Sequence, residues 1–301
     1  MNLCNPSVIR ALMAGEGITF RHEYGQNFLI DPTVPAGIAD GCADDPHSLI
    51  LEIGPGIGCL TRELAERFER VVAVEIDRGL IPILSKTLTK YDNVTVINAD
   101  VMKLDLAALL AEQTGGKSVG HDLKVSVCAN LPYYITTPIL MALLESGVHF
   151  TSITVMIQKE VASRLLAKPG SSEYGAITAV LGYYGEVRKL FGVPHSAFLP
   201  APKVDSTVVR LDLWETPKYP VLDEAFFFRV LHGAFEQRRK TLVNALSAKC
   251  PGLSKADITE AIVACGFSET VRGERLSTED FARLSDRLLP AWQAAQQNKK
   301  M

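Results

Sequence analysis

Five short apolar runs, Leu49–Ile53, Val71–Ile76, Val94–Ile97, Val125–Ala129 and Ile153–Ile157, recur with amphipathic stretches around 58–69, 79–90, 104–112 and 137–146 between them. Runs that are apolar throughout suit strands covered on both faces, and strands joined through helices lie parallel because each helix returns the chain to the same end. The expected fold is therefore α/β, a doubly wound Rossmann-like sheet. Farther on, Glu186–Val193 and Val204–Leu213 read as strands joined by the Pro-rich Phe198–Lys203, an antiparallel hairpin expected to close one sheet edge. Composition shifts at Trp214–Pro220, where two prolines interrupt any regular element. Residues 222–290 then have a helical period, with caps expected at Ser254 and Ser277 and a stop at Gly266. Two domains follow from this pattern: residues 1–216 carry the sheet, and residues 217–301 form a small all-helical unit.

In open α/β sheets ligands bind at the carboxyl ends of the strands, so the residues that close each run matter most. The first run ends in Glu52-Ile53-Gly54-Pro55-Gly56-Ile57-Gly58, where glycines let the backbone approach a ligand without Cβ obstruction. The second ends at Glu75, about 20 residues beyond the loop, where a carboxylate accepts the two hydroxyls of a ribose. NAD and S-adenosylmethionine both meet that description. Two details favour the sulfonium cofactor: the glycines are spaced by two instead of in the Gly-x-Gly-x-x-Gly pattern, and Glu52 beside the loop suits a cation better than a pyrophosphate. Asp100 closes the third run as a candidate acceptor for the cofactor's adenine amine. The fourth delivers Asn130-Leu131-Pro132-Tyr133. Here an amide oxygen, the Leu131 carbonyl and an aromatic face form a corner that fits a planar exocyclic amine such as that of a nucleobase. A polar turn with packed aromatics explains the tetrapeptide alone equally well; convergence with the other strand ends carries the functional reading.

Composition sets limits on the alternatives. The 301-residue chain is 47% hydrophobic with a net charge of −3, which argues against nucleic-acid binding by bulk electrostatics. Residues 221–301 carry a net +2 and residues 1–220 a net −5, so RNA contacts are expected from local patches, of which Arg238-Arg239-Lys240 is the densest. The six cysteines lie far apart without a Cys-x-x-Cys pair, and the six histidines show no metal spacing, so neither a metal site nor a disulfide framework is expected. No run is long enough to cross a bilayer and the start lacks a signal-type core, which implies a cytoplasmic protein. Residues 113–122 read as a surface insertion.

Upstream, Tyr24-Gly25-Gln26-Asn27-Phe28-Leu29-Ile30-Asp31 completes a set. With the glycine loop, the strand-two acid, Asn130-Leu131-Pro132-Tyr133 and the Phe-x-Pro-x-Pro-Lys-Val-Asp-Ser segment Phe198–Ser206, it closely resembles the ribosomal RNA adenine dimethyltransferase family over residues 20–285. Within that family it looks most like the bacterial branch that dimethylates two adjacent adenosines in the 3′-terminal hairpin of 16S rRNA. The resemblance implies a class I methyltransferase sheet, S-adenosylmethionine as cofactor, no metal, and 16S rRNA within a small ribosomal subunit or its precursor as partner. Nothing in the chain requires more than a monomer. By the same resemblance Asn27, Leu29 and Gly54 hold the cofactor, Glu75 takes its ribose, Asp100 its adenine, and Asn130 stands where cofactor and substrate meet. Leu131 supplies a carbonyl, Tyr133 and Phe198 sandwich the target base, and Arg238, Arg239 and Lys240 sit in the ribosome-docking domain. A 23S rRNA adenine methyltransferase of the antibiotic-resistance type and an assembly factor acting mainly by binding share parts of the pattern. The C-terminal domain and Phe198–Ser206 favour the 16S reading over the first, and the intact tetrapeptide favours catalysis over the second. The glycine spacing, and the lack of a His or Tyr/Lys hydride-transfer site, count against a nicotinamide dehydrogenase.

Overall fold

A computed structural model describes residues 1–19, 26–116 and 123–298. Tyr24 and Gly25 of the upstream motif, and residues 117–122 of the expected insertion, lie outside the described residues. The chain forms two compact units, Met1–Ala162 with Val187–Glu215, and Ser163–Glu186 with Thr216–Met301.

The first unit is built on a seven-stranded sheet of order β4-β3-β2-β5-β6-β9-β7. Strands β2 (Leu49–Ile53), β3 (Arg70–Glu75), β4 (Val94–Asn98), β5 (Val125–Asn130) and β6 (Ser152–Gln158) are parallel. Each expected run became one of these strands, with ends shifted by a residue or less. The central strands β2 and β5 are buried along nearly their whole length, whereas β4 at the edge alternates with exposed positions, as a covered interior and an open rim require. Helices α3 (Cys59–Ala65), α4 (Ile81–Thr87), α5 (Leu106–Gln113) and α6 (Thr136–Glu145) make the crossovers.

The late strands close one edge of the sheet, as expected. Strand β9 (Ser206–Leu213) is antiparallel to β6 and lies between it and β7 (Gly185–Val193), so the returning strand enters the sheet and the outgoing one becomes its rim. Burial explains this order: β9 is buried over Ser206–Leu211, while β7 carries Glu186, Arg188 and Lys189 on its exposed positions. Arg210, 2% exposed in β9, is held by Asp44 at 2.7 Å and Asp212 at 2.6 Å, so its charge is not left unpaired.

Elements that lacked a clear sequence period fill the remaining positions. Helix α1 (Pro6–Gly15) is capped by Asn5 and buries Ile9 and Met13 in a cluster with Phe28, Ile57 and Leu80. Helix α2 (Thr33–Asp40) lies close to β7, a Cβ on its Gly37 meeting the Phe191 ring at 3.1 Å. A two-residue strand β1 (Phe28–Leu29) pairs antiparallel with β8 (Phe198–Leu199), joining the two distant motifs directly. Helix α7 (Lys159–Leu165) follows β6.

In the second unit, helix α8 (Ala176–Tyr184) packs with α9 (Glu224–Glu236) and α12 (Thr278–Asn298), beside α10 (Leu242–Lys249) and α11 (Lys255–Ala264). The division falls after Glu215, where the expectation was 216/217, and residues 163–186 group with the C-terminal helices. Aromatic contacts account for that: Tyr183 stands 4.8 Å from Phe227 and Tyr174 5.8 Å from Phe235. Ser254 and Asp257 form a reciprocal capping box on α11, Ser277 and Asp280 another at α12, and Gly266 takes φ +87° after α11.

Candidate active site

The parallel register aligns the strand ends. Ile53 pairs with Val74 and Ala129, Glu75 with Asn98, and Asn130 with Met156, so the glycine loop, Glu75, Asp100 and Asn130 emerge along one edge. A cleft partly open to solvent lies there. Asn27, Leu29, Gly54, Glu75 and Asn130 line it together, and Glu52, Ile76 and Pro132 complete its walls.

The loop is bent by left-handed glycines, with φ of +72°, +61° and +91° at Gly54, Gly56 and Gly58. They differ in what they face. A Cβ at Gly56 would meet the Phe28 ring at 3.2 Å, while one at Gly54 would meet nothing within 4 Å because that side is the cleft. Gly54→Ala is therefore expected to cost about 1–2 kcal/mol of left-handed strain and to lower S-adenosylhomocysteine affinity more than tenfold. Calorimetric titration beside thermal melting separates the two effects, and unchanged affinity would contradict a cofactor lying against this backbone.

Glu75 is 4% exposed, and the Gly56 and Asp77 amides donate to its two oxygens at 3.1 and 2.7 Å. Burial outweighs those bonds and pushes its carboxyl up to about 7. Each carboxylate oxygen accepts more than one hydrogen bond, so the edge facing the cleft retains capacity for two hydroxyls. Asp77 in turn accepts from Gln26 Nε2 at 2.8 Å, which fastens the upstream segment over the site. Glu52 is 1% exposed, its Oε2 has no hydrogen-bond partner among the described residues, and burial, with the nearby Glu75 charge adding, raises it to about 8. An orphaned acid in the wall and an unobstructed glycine backbone fit a cation-bearing nucleoside without phosphates.

At the substrate side, Asn130 Nδ2 donates to the Asn27 carbonyl at 3.4 Å, which leaves Oδ1 available. Leu131, 2% exposed, donates its amide to the Met156 carbonyl at 3.3 Å, and no described hydrogen bond uses its own carbonyl. Tyr133 is half-buried with its hydroxyl 2.9 Å from Ser206 Oγ, which ties the tetrapeptide to the Phe198–Ser206 segment.

Three predicted residues are placed differently. Asp100 does not line the cleft; its Oδ1 accepts from the Met102 amide at 3.0 Å as the cap of a short turn, and Lys103 lies 3.6 Å from Oδ2. Phe198 is 3% exposed, packed in the core with Leu29, Met156 and Val208, so its ring does not face the cleft. Arg238, exposed like Arg239 and Lys240, is engaged with Glu274 at 2.9 Å and the Ser172 carbonyl at 2.5 Å. Gln26, Ile76 and Pro132 also line the cleft and were signalled only by their neighbours in the motifs, whereas Cys59 and Leu60 of α3 and Leu80 line it without a sequence signal of that kind.

The Rossmann-like sheet with a cleft at its carboxyl edge, together with the family match, makes the chain an S-adenosylmethionine-dependent methyltransferase. A profile of the family described as "Ribosomal RNA adenine dimethylase" matches residues 17–288. The chain belongs to that family and is an rRNA adenine dimethyltransferase. It is 47% identical over 289 residues to "Ribosomal RNA small subunit methyltransferase A" of Shouchella clausii, covering 95% of this chain and 96% of that protein. A protein of the same description from Alkaliphilus oremlandii is 46% identical, covering 95% and 98%. Among solved structures, a dimethyladenosine transferase from Plasmodium falciparum is similar with a TM-score of 0.70 at 25% identity, covering 87% of this chain and 98% of that one. The 23S rRNA methyltransferase ErmE is similar with a TM-score of 0.65 at 27% identity, covering 87% and 99%. No helix among the described residues is long and apolar enough to cross a membrane.

Proposed function

We propose that this enzyme, acting as a monomer in the cytoplasm, transfers methyl groups to N6 of two adjacent adenosines in the 3′-terminal hairpin of 16S rRNA, within a small ribosomal subunit or its precursor. The observation that carries the reading is the pair of unengaged acceptors, Asn130 Oδ1 and the Leu131 carbonyl, at the end of the strand beside the cofactor cleft. Near-full-length similarity to proteins named for the small ribosomal subunit supports the choice of RNA.

S-adenosylmethionine supplies an electrophilic methyl group whose sulfur departs as a neutral thioether, so no metal is needed. The chain's task lies with the nucleophile, because the N6 lone pair is delocalised into the purine. In the first transfer Asn130 Oδ1 and the Leu131 carbonyl accept the two N6 hydrogens, favour the pyramidal nitrogen and offset its developing positive charge; the N–CH3 bond forms as the S–CH3 bond breaks and the excess proton leaves N6 for solvent, so in the second transfer the one remaining hydrogen engages one of the two acceptors. One preorganised partner of this kind contributes about 3–4 kcal/mol, and alignment of the base adds to it. Tyr133 gives the flipped base a stacking face worth about 1–3 kcal/mol, restrained by its bond to Ser206. Phe198 joins it only when its ring turns out of the core. Asn27, Leu29, Gly54 and Glu75 hold the cofactor.

Arg239 and Lys240 contact RNA phosphates, whereas Arg238 chiefly ties the 237–241 turn to Glu274 and Ser172. Replacing Arg239 and Lys240 together by alanine is expected to weaken RNA binding and to reduce the salt slope by about 1–2, with no change in melting temperature. Arg238→Ala is expected to lower the melting temperature as well. Titrations at several salt concentrations check this, and an unchanged slope for the double variant would remove the pair from the interface. The proposal as a whole is tested by mass spectrometry of the 16S 3′-terminal fragment after reaction. Dimethyladenosine at two adjacent positions is expected, and a product stopping at N6-monomethyladenosine would contradict a pocket that admits the first methyl.

A further inference from the structure

Helix α9 buries Phe226, Phe227, Val230, Leu231 and Ala234, yet two more aromatic residues, Phe228 and Phe235, fall outside that set and remain only half-buried. Seven residues apart, they lie on one line of the helix, with the exposed His232 between them. Together with Arg229 and with Lys249 of α10 they line a broad open groove confined to the second unit, sharing no residue with the cofactor cleft. The Phe228 ring is stacked on Tyr184, centroids 5.8 Å apart at 19°, and His232 follows at 6.3 Å and 31°. Arg229 lies over the Trp292 ring at 5.4 Å and has no carboxylate within ion-pair distance among the described residues. Lys249 is paired with Glu236.

The groove interleaves flat rings with Arg229, His232 and Lys249 against the single carboxylate Glu236, in the part of the chain whose net charge is positive. An apolar helix would need a continuous aliphatic strip, which these side chains interrupt, and Arg229, with no carboxylate at ion-pair distance among the described residues, favours an anionic occupant. Flat rings beside cations match an unpaired nucleotide: bases stack without regard to sequence, and the guanidinium and ammonium groups meet the adjoining phosphates. We propose that this α9 groove holds an unpaired nucleotide of the RNA substrate away from the reacting base, stacked at Phe228 and His232 with its phosphates on Arg229 and on Lys249 as that side chain exchanges Glu236 for the phosphate. The site deepens the rRNA reading above and rests on it.

The test uses the full chain and anisotropy of a labelled single-stranded RNA octamer, with the same sequence as a duplex for comparison. Arg229→Gln combined with His232→Ala changes only exposed positions, and Phe228→Leu keeps an apolar filler without a stacking face. Each variant is expected to lose single-strand affinity by about tenfold, to lose duplex affinity less, and to keep its S-adenosylhomocysteine affinity; the exposed double variant keeps its melting temperature, while Phe228→Leu melts lower for the loss of its ring contacts with Tyr183, Tyr184 and Phe227. Single-strand affinity within twofold of the parent in both variants would overturn the proposal. So would a dimer of the free protein, seen by sedimentation, that the same substitutions abolish. Loss of single-strand binding in the variants of a protein inactive on small subunits would leave the groove standing and defeat the 16S reading instead. An active enzyme whose variants bind RNA normally would do the reverse.

Discussion

Asn130→Ala is expected to slow methyl transfer by about 10²–10³-fold, the loss that follows removal of one preorganised hydrogen-bonding group from a reacting centre, with S-adenosylhomocysteine affinity reduced only a few-fold. The asymmetry follows from the geometry. Asn130 lies at the very end of β5, where its backbone is fixed by pairing with Met156, and its side-chain nitrogen is committed to the Asn27 carbonyl. The oxygen alone is left to meet N6, so alanine removes an interaction that strengthens as the nitrogen pyramidalises, while the cofactor keeps Glu75 and the glycine loop. Asn130→Asp divides the two jobs: it keeps an acceptor but removes the Nδ2 donor that tethers Asn27, and intermediate activity with weaker cofactor binding is expected. Single-turnover rates at saturating cofactor, beside calorimetric titration, separate the effects. Full activity in Asn130→Ala would remove the residue from the mechanism.

The second large effect concerns pH. Glu52, with an ordinary value of 4.5, is raised by burial to about 8, and Glu75 to about 7. Between 4.5 and 8 the folded chain therefore binds more protons at Glu52 than the unfolded chain does. The stability this neutral acid contributes is complete below pH 4.5 and is lost as pH rises through about 8. The full shift corresponds to about 4–5 kcal/mol. Glu52→Gln, which cannot ionise, is expected to melt close to the parent near pH 5 and well above it at pH 9. Cofactor binding has the opposite sign, because a sulfonium cation and ribose hydroxyls favour ionised carboxylates. Affinity for S-adenosylmethionine is expected to rise from pH 6 to pH 8.5 with release of protons, and the rise should be smaller in Glu52→Gln. Melting curves across pH, and titrations in two buffers of different ionisation enthalpy, test both signs. Parallel pH profiles for parent and variant would show that Glu52 does not titrate in this range.

The parts of the fold readable from sequence were those in which a local pattern and the tertiary outcome agree. Leu49–Ile53 and Val125–Asn130 are apolar because both sheet faces are covered, and the same burial makes them visible as runs. The strand ends followed, since a parallel sheet places Gly54, Glu75 and Asn130 along one edge once its strands are known. Where long-range contacts decide, the pattern was silent. Helix α8 belongs with the C-terminal unit through Tyr183 and Phe227, more than forty residues apart in sequence, which no window of local periodicity contains. Strand β9 lies inside β7 because of its own burial, although hairpin connectivity alone permits either order. Phe198 belongs to a recognisable motif, but its pairing with Leu29 across β1 and β8 turns the ring into the core. Arg238 shows the same limit on the surface: charge density marked the triplet, and only the fold shows that one of its three cations is occupied by Glu274.

The most direct test of the function is transfer of labelled methyl from S-adenosylmethionine to unmethylated small ribosomal subunits, with unmethylated large subunits in parallel and digestion to nucleosides. Label recovered as N6,N6-dimethyladenosine from small subunits alone is the expected result; label from large subunits alone, or from neither, would contradict the proposed substrate.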